Sequence, residues 1–168
     1  VNLYLKSSLL GFKNYSCENL NIQGKSNKNM ADVNISSDRL SLGGFTLDST
    51  KTRLGLTDNL ATVRIGLKNS GEYNSHLLFS SDVKFIKSVA DQKNITEIVV
   101  NPSILKINKH EWRIDKSFVS LQDSLISVSD FRISNANQEL KINGKISRES
   151  DESLRVDVNE MDISPINM

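Results

Sequence analysis

The sequence predicts an all-β fold in which many short, mostly antiparallel strands form one curved, folded-over sheet with repeated bulges. Two observations lead to this prediction. Apolar residues recur as pairs separated by one residue along most of the chain, and the stretches between the pairs are rich in Asn, Asp, Ser, Lys and Gly. A side-chain period of two is typical of strands with one buried face and one solvated face. The intervening residues are those that turns favour.

The apolar pairs follow one another along the chain, and each predicts a strand. In order they are Leu3/Leu5, Leu20/Ile22, Val33/Ile35, Leu40/Leu42, Phe45/Leu47, Leu54/Leu56, Val63/Ile65/Leu67, Leu77/Phe79, Ile98/Val100, Leu105/Ile107, Trp112/Ile114, Ile126/Val128, Phe131/Ile133, Leu140/Ile142, Leu154/Val156/Val158 and Met161/Ile163. One interruption occurs over 82–92, where Val83, Ile86 and Val89 are spaced like the face of a helix. A short helix near 82–92 and the end of a strand at Phe85 are both compatible with this segment.

An internal repeat is visible within the pattern. Residues 33–56 match residues 119–142 at an offset of 86, which is 119 − 33. Eight apolar positions keep this register, namely Val33/Val119, Ile35/Leu121, Leu40/Ile126, Leu42/Val128, Phe45/Phe131, Leu47/Ile133, Leu54/Leu140 and Leu56/Ile142. The repeat predicts a single β-rich segment, 1–168, with two related halves at about 1–89 and 95–168. We expect this segment to belong to a longer protein.

The repeated unit has two apolar pairs separated by two residues, and strict alternation would place those pairs on opposite faces. Both pairs reach one face only if the intervening residues change the register, as a β-bulge or sharp bend does. Ser129–Asp130, Gly43–Gly44 and Asn159–Glu160 occupy this place in three copies. The sheet should therefore curl around its apolar side and form a groove. Its expected lining is Leu40, Leu42, Phe45, Leu47, Leu54, Leu56, Ile126, Val128, Phe131, Ile133, Leu140 and Ile142.

Composition and motifs argue against several function classes. With 21 basic and 20 acidic residues interspersed, the chain has no basic stripe of the kind that binds nucleic acid. Cys17 is the single cysteine, and His76 and His110 lack the spacing of metal ligands. No nucleophile motif occurs, and with one Trp the chain is poor in the aromatics that a glycosidase cleft uses. We therefore expect a protein that is not an enzyme and has no cofactor or metal.

Several segments of the second half, within 103–163, carry a resemblance to a known family. They are Ser103–Ile107, Trp112–Ile114, Ile126–Ile133, Gln138–Gly144 and Leu154–Ile163, in which Trp, Phe and the motif Gln-x-Leu-x-Ile-x-Gly occur in order. This pattern resembles the TamB-like and AsmA-like translocation and assembly module proteins of Bacteroidetes-type bacteria. The resemblance implies an inner-membrane anchor elsewhere in the full protein, a periplasmic sheet with an apolar inside, and a role in outer-membrane assembly or phospholipid movement between membranes.

The resemblance and the apolar pattern together lead to one functional hypothesis. The chain would be a non-catalytic periplasmic segment whose groove holds phospholipid acyl chains, while other parts of the full-length protein contact an outer-membrane assembly barrel. Each buried methylene contributes about 0.8 kcal/mol, so a chain of about 16 carbons would gain on the order of 10 kcal/mol before entropy costs. The alternative is a structural or adhesive module, a closed β-sandwich from a secreted or surface protein.

Overall fold

The computed structural model describes residues 1–43, 45–70, 74–88, 93–108, 110–147 and 153–161. These residues form fifteen strands, and no helix occurs among them. The strands are β1 (Asn2–Phe12), β2 (Tyr15–Ser26), β3 (Met30–Ser37), β4 (Arg39–Leu42), β5 (Phe45–Leu47), β6 (Ser49–Thr57), β7 (Leu60–Asn69), β8 (Ser75–Lys87), β9 (Asn94–Val100), β10 (Ser103–Ile107), β11 (His110–Ile114), β12 (Ser117–Gln122), β13 (Leu125–Asn135), β14 (Gln138–Ile146) and β15 (Leu154–Asn159).

All fifteen strands belong to one antiparallel sheet, which confirms the predicted all-β fold. Four pairs of short strands follow the same line with a bend between them, and each pair behaves as one longer strand: β3 with β4, β5 with β6, β9 with β10, and β11 with β12. When these pairs are joined, each long strand lies between its neighbours in sequence. The sheet is therefore a meander, and β1 and β15 form its two edges.

The bends give the second half of the sheet a ring-like hydrogen-bonding path. Strand β8 pairs with β10 through its first residues and with β9 through its last. Strand β13 pairs with β12 through its first residues and with β11 through its last. The ring runs β8, β9, β12, β13, β11, β10 and back to β8. At its centre the ladder is interrupted at Asn101–Pro102 and at Asp115–Lys116, which face each other. Proline supplies no N–H to a ladder, so the interruption at Pro102 has a direct chemical cause.

The register change predicted at Ser129–Asp130 is present. Val128 pairs with Gly144 and Phe131 pairs with Ile142, so two residues of β13 oppose one residue of β14. Asp130 has a φ of 59°, and its N–H donates a hydrogen bond to Asn143 Oδ1 at 2.6 Å. This β-bulge places both apolar pairs of β13 on the same side of the sheet, as expected.

The register change predicted at Gly43–Gly44 is a different feature. Leu42 pairs directly with Phe45, so the chain reverses here in a two-residue hairpin turn between β4 and β5. Gly43, at a φ of 66°, begins the turn, and Gly44 lies outside the described residues. A hairpin also puts both pairs on one face, which is why the same spacing had suggested a bulge. At the third expected site, β15 ends at Asn159 and Glu160 has a φ of 47°. Ile163 of its second apolar pair lies outside the described residues, so the register change there stays a prediction.

Elements that correspond in position along the meander are offset by about 65 residues. Val33 and Ile35 on β3 correspond to Ile98 and Val100 on β9, since 98 − 33 and 100 − 35 both equal 65. In each half a bent strand, a tight turn and a second bent strand follow. The offset of 86 instead aligns two unlike features, the hairpin between β4 and β5 and the β-bulge at Ser129–Asp130. The division into two related halves remains a prediction.

The short helix considered for 82–92 is wrong for the described residues of that segment. Strand β8 continues to Lys87 and pairs with β7 and β9, with Val83 opposite both Ala61 and Ile98. Two flanking ladders satisfy the backbone groups of β8, and this outweighs a weak helical spacing. Residues 89–92 lie outside the described part.

The sheet has a small buried core. Among the described apolar residues only Leu47, Val100 and Ile114 are buried, with exposed fractions of 6%, 8% and 9%. The total accessible surface is 11636 Å², whereas a compact monomer of 18.8 kDa would expose about 8,300 Å². Among the described strands, substantial contacts occur between hydrogen-bonded neighbours and, besides these, only between β4 and β6 and between β5 and β7. The described strands therefore form a single layer, without the second sheet that a closed sandwich requires.

Four serines are buried beside this core: Ser37, Ser81, Ser103 and Ser117. Ser117 is fully buried, and its hydroxyl has no hydrogen-bond partner among the described residues. By contrast, the Ser103 hydroxyl donates to the Asn101 carbonyl at 2.8 Å and accepts the Ser80 N–H at 3.1 Å. An unsatisfied buried hydroxyl destabilises a fold, whereas a satisfied one contributes to it.

This contrast predicts opposite effects for two matched substitutions. Ser117→Ala should raise the free energy of unfolding by about 1 kcal/mol, because it removes an unsatisfied hydroxyl. Ser103→Ala should lower it by about 1–2 kcal/mol, because the part-buried Ser80 N–H and Asn101 carbonyl lose their hydrogen-bond partner. Chemical denaturation of the two variants beside the parent protein measures both changes. Equal destabilisation by the two substitutions would contradict the expectation.

Candidate functional site: an open apolar sheet face

Directly opposed residues of adjacent strands lie on the same side of a sheet, so the register defines which side chains share a face. One row of opposed residues crosses nine strands and is apolar throughout: Ala31, Leu56, Ala61, Val83, Ile98, Val119, Val128, Gly144 and Leu154. We call the side of the sheet that carries this row the apolar face. A second row on it runs Val33, Leu54, Val63, Ser81, Val100 and Ser117.

The apolar face is largely open. Leu56, Ile126 and Val156 have exposed fractions of 42%, 41% and 52%, although each points to the side that an ordinary domain would bury. Burial is greatest where the strands bend, at Val100 and Ile114. Soluble monomers rarely expose contiguous apolar patches larger than a few hundred Å², so such a face indicates an interaction site.

Eight of the twelve predicted lining residues lie on the apolar face. Leu54 and Leu56 occupy the two rows just described, and the six from the second half are joined to the face by cross-strand pairs. Those six are Ile126, Val128, Phe131, Ile133, Leu140 and Ile142. Eight residues of the predicted lining thus share one face, and the pairing shows that both halves contribute to one continuous surface.

The other four predicted residues form a separate group beyond the bends at Asp38 and Asp48. Leu40 pairs with Leu47 and Leu42 pairs with Phe45. On the other side, β4 pairs with β2, which brings Leu40 opposite Cys17 and Leu42 opposite Tyr15. Leu47 is among the few buried apolar residues, so this group is partly a local core.

The residues that connect the two halves were missing from the predicted lining. They lie on the central strands β7, β8 and β9, namely Val63, Ile65, Phe79, Val83 and Ile98. Their alternation is visible in the sequence, but the predicted lining contains only residues of the repeated segments. These residues are identified as part of the face by the cross-strand register, which a single sequence does not provide.

The opposite side of the sheet carries charged residues in cross-strand pairs, and we call it the polar face. Arg53 donates two hydrogen bonds to Asp32 Oδ2, at 2.9 and 2.8 Å, and lowers the pKa of that carboxyl below its ordinary value. Glu139 accepts hydrogen bonds from Lys141 and Arg132, and these two cations likewise lower its pKa. The cations beside Asp32 and Glu139 thus favour the ionised form of these two carboxyls.

Other classes of site find no support in the described part of the chain. No group of three or more His, Cys, Asp or Glu side chains there is placed to share a metal ion. No described helix is long and apolar enough to cross a membrane. Comparison with family models, curated proteins and solved structures finds no match for this chain. The candidate site is therefore the apolar face, and the case for it is its continuous, exposed apolar surface.

Proposed function

We propose that this chain is a non-catalytic segment of a TamB-like or AsmA-like envelope protein and that its apolar face holds phospholipid acyl chains in transit. The observation that carries the proposal is the apolar row that crosses nine strands and remains open to solvent. The family resemblance in the second half supports the periplasmic, inner-membrane-anchored setting. Outer-membrane assembly through a barrel partner is part of the same proposal and would involve other parts of the full protein.

The dimensions of the face suit acyl chains. Eight strand intervals of about 4.8 Å make the nine-strand row about 38 Å long. Along β8, the span from Leu77 to Phe85 covers about 27 Å at 3.4 Å per residue. An extended chain of 16 carbons is about 20 Å long at the ordinary 1.25 Å or so per methylene, so the face has room for more than one chain lying across the strands.

The chemistry of the face suits a ligand without fixed polar groups. Its side chains are mainly Leu, Ile, Val and Phe, which offer dispersion contacts but no directional hydrogen bonds. Each methylene removed from water contributes about 0.8 kcal/mol, and ordering costs reduce the total. A surface of this kind binds acyl chains tightly enough to shield them, and it does not select one headgroup.

Photocrosslinking tests the proposal in cells. A photoreactive amino acid at Phe131 or Ile142 on the apolar face should capture phospholipid, which mass spectrometry of the purified adduct identifies. The same amino acid at Lys84 or Lys145 serves as the matched control, because both positions are exposed on the polar face. Capture should be at least about tenfold higher on the apolar face.

Two outcomes would overturn the proposal. Equal lipid capture at the apolar and polar positions would show only nonspecific contact with membranes. Capture of one protein at Phe131 and Ile142, with no lipid, would assign the face to a protein interface and favour the structural or adhesive function.

A further inference from the structure

The polar face contains a depression that the proposed lipid function does not use. It has a volume of about 590 Å³ and lies over the centre of strands β3, β6, β7 and β8. Its lining includes Asn34, Ser36, Lys51, Arg53, Arg64 and Ser80, together with apolar residues such as Leu78 and Pro102. A volume of this order falls within the range of small-molecule sites.

The positive charges around this depression lower the stability of the sheet. Arg53 and Arg64 lie directly opposite each other on β6 and β7. Like charges at directly opposed positions destabilise a sheet. Asp32 forms an ion pair with Arg53 at 2.8 Å, whereas no described carboxylate lies within ion-pair distance of Arg64 or Lys51. Lys51, Arg53 and Arg64 thus line the depression, and of the three only Arg53 forms an ion pair with a described carboxylate. Departures of this kind from local stability rules are expected at functional sites.

Gly66 forms part of the floor of the depression, between Lys51 on β6 and Leu78 on β8. A Cβ added there would meet Leu78 Cδ2 at 3.7 Å and the Lys51 carbonyl oxygen at 3.9 Å, which are ordinary contacts. The fold therefore does not require glycine at this position. A side chain would, however, project into the space between the cations, so glycine keeps the depression open to a ligand.

We propose that this depression binds the phosphate group of a small ligand, with Arg64 and Lys51 as its principal contacts. Guanidinium groups donate paired hydrogen bonds to phosphate, and a phosphate would neutralise the facing arginines. The Asn34, Ser36 and Ser80 side chains add polar groups suited to a hydroxylated ligand such as a polyol phosphate. The site lies on the opposite side of the sheet from the apolar face, so this inference stands whether or not acyl chains bind there.

The test measures phosphate binding by the intact protein with inorganic phosphate and glycerol phosphate as probes. Titration followed by ¹H–¹⁵N NMR should shift the amides around Gly66 and Arg64 saturably, while chloride at matched ionic strength should not. Vesicles of phosphatidylglycerol and of phosphatidylcholine form a second arm. Binding to the soluble phosphates indicates a small-ligand site, and binding to phosphatidylglycerol alone indicates recognition of a membrane surface instead.

Two variants separate binding from stability. Arg64→Gln should weaken phosphate binding about tenfold or more, yet leave the fold equally or more stable because the like-charge pair is removed. Gly66→Val should fill the floor and abolish binding without unfolding the sheet, since valine suits a strand. Arg113→Gln is the matched control, being an exposed arginine of the polar face outside the depression. Equal binding by all three variants, or equal shifts with chloride, would overturn the proposal.

Discussion

Replacing Gly144 with alanine should lower the free energy of unfolding by about 2–4 kcal/mol and release strand β15 from the sheet. Gly144 has a φ of 123°, a backbone conformation that L side chains rarely adopt. It also lies opposite Leu154 on β15. An added Cβ would come closer to the Ser153 carbonyl oxygen than van der Waals contact allows and would meet Leu154 Cα at 3.3 Å. Because the atoms that the Cβ would meet belong to the backbone, they cannot move aside easily. The conformational strain and the steric overlap therefore both destabilise the variant.

Gly11→Ala is the matched control for this prediction. Gly11 also lies in a strand, and the nearest atom to its added Cβ would be the Tyr15 carbonyl oxygen at 3.9 Å. Alanine there should be neutral or stabilise the protein by up to about 1 kcal/mol, because it restricts the unfolded chain. Urea denaturation gives both values, and amide hydrogen exchange reports on β15. A Gly144→Ala protein as stable as the Gly11→Ala protein would contradict the conformation assigned to Gly144.

The second large effect is expected at Val100, where aspartate should prevent folding at physiological temperature. Val100 is 8% exposed and lies between Ser81 and Ser117, where the strands bend. The substitution removes about 1.5–3 kcal/mol of apolar burial and places a carboxylate at a buried position whose cross-strand neighbours are two serines. Each of these costs is a large fraction of the 5–15 kcal/mol that stabilises an ordinary domain.

Aspartate at Val156 provides the informative comparison. Val156 lies on the same apolar face, opposite Ile142, but is 52% exposed. A carboxylate there keeps contact with water, so the fold should survive with a loss of at most about 1 kcal/mol, while the acyl-chain binding proposed for this face should fall. Circular dichroism melts and lipid capture measure the two effects. If Val156→Asp unfolds the protein as Val100→Asp does, the face is a closed core and not an open one.

The strands are predictable from the sequence because alternation is a local property. Ile126, Val128, Phe131 and Ile133 carry their own periodicity, and the two residues between the pairs identified the bulge at Asp130. The same spacing failed at Gly43, since a hairpin turn and a bulge both return two apolar pairs to one face. Distinguishing them requires knowing which strand lies opposite, and this is not encoded locally.

The end of strand β8 and the cationic depression also depend on strand pairing, so the sequence alone does not predict them. The segment 82–87 belongs to strand β8, which β7 and β9 flank with ladders, and local helical spacing cannot reveal this. The cationic depression depends on Arg53 and Arg64 being opposite each other although eleven residues separate them, 64 − 53. Candidate sites that arise from cross-strand register thus appear only once the pairing is known.

The meander has a consequence for how the protein loses its structure. Each long strand contacts essentially its neighbours in sequence, and no described strand closes the sheet by joining β1 to β15. Stability in such an arrangement approximates a sum of nearest-neighbour terms, as in repeat proteins, and the terminal strands have one neighbour where inner strands have two. Opening should therefore begin at β1 and β15 and advance inward strand by strand. The bent strands around Val100 and Ile114, which hold most of the buried core, would open last.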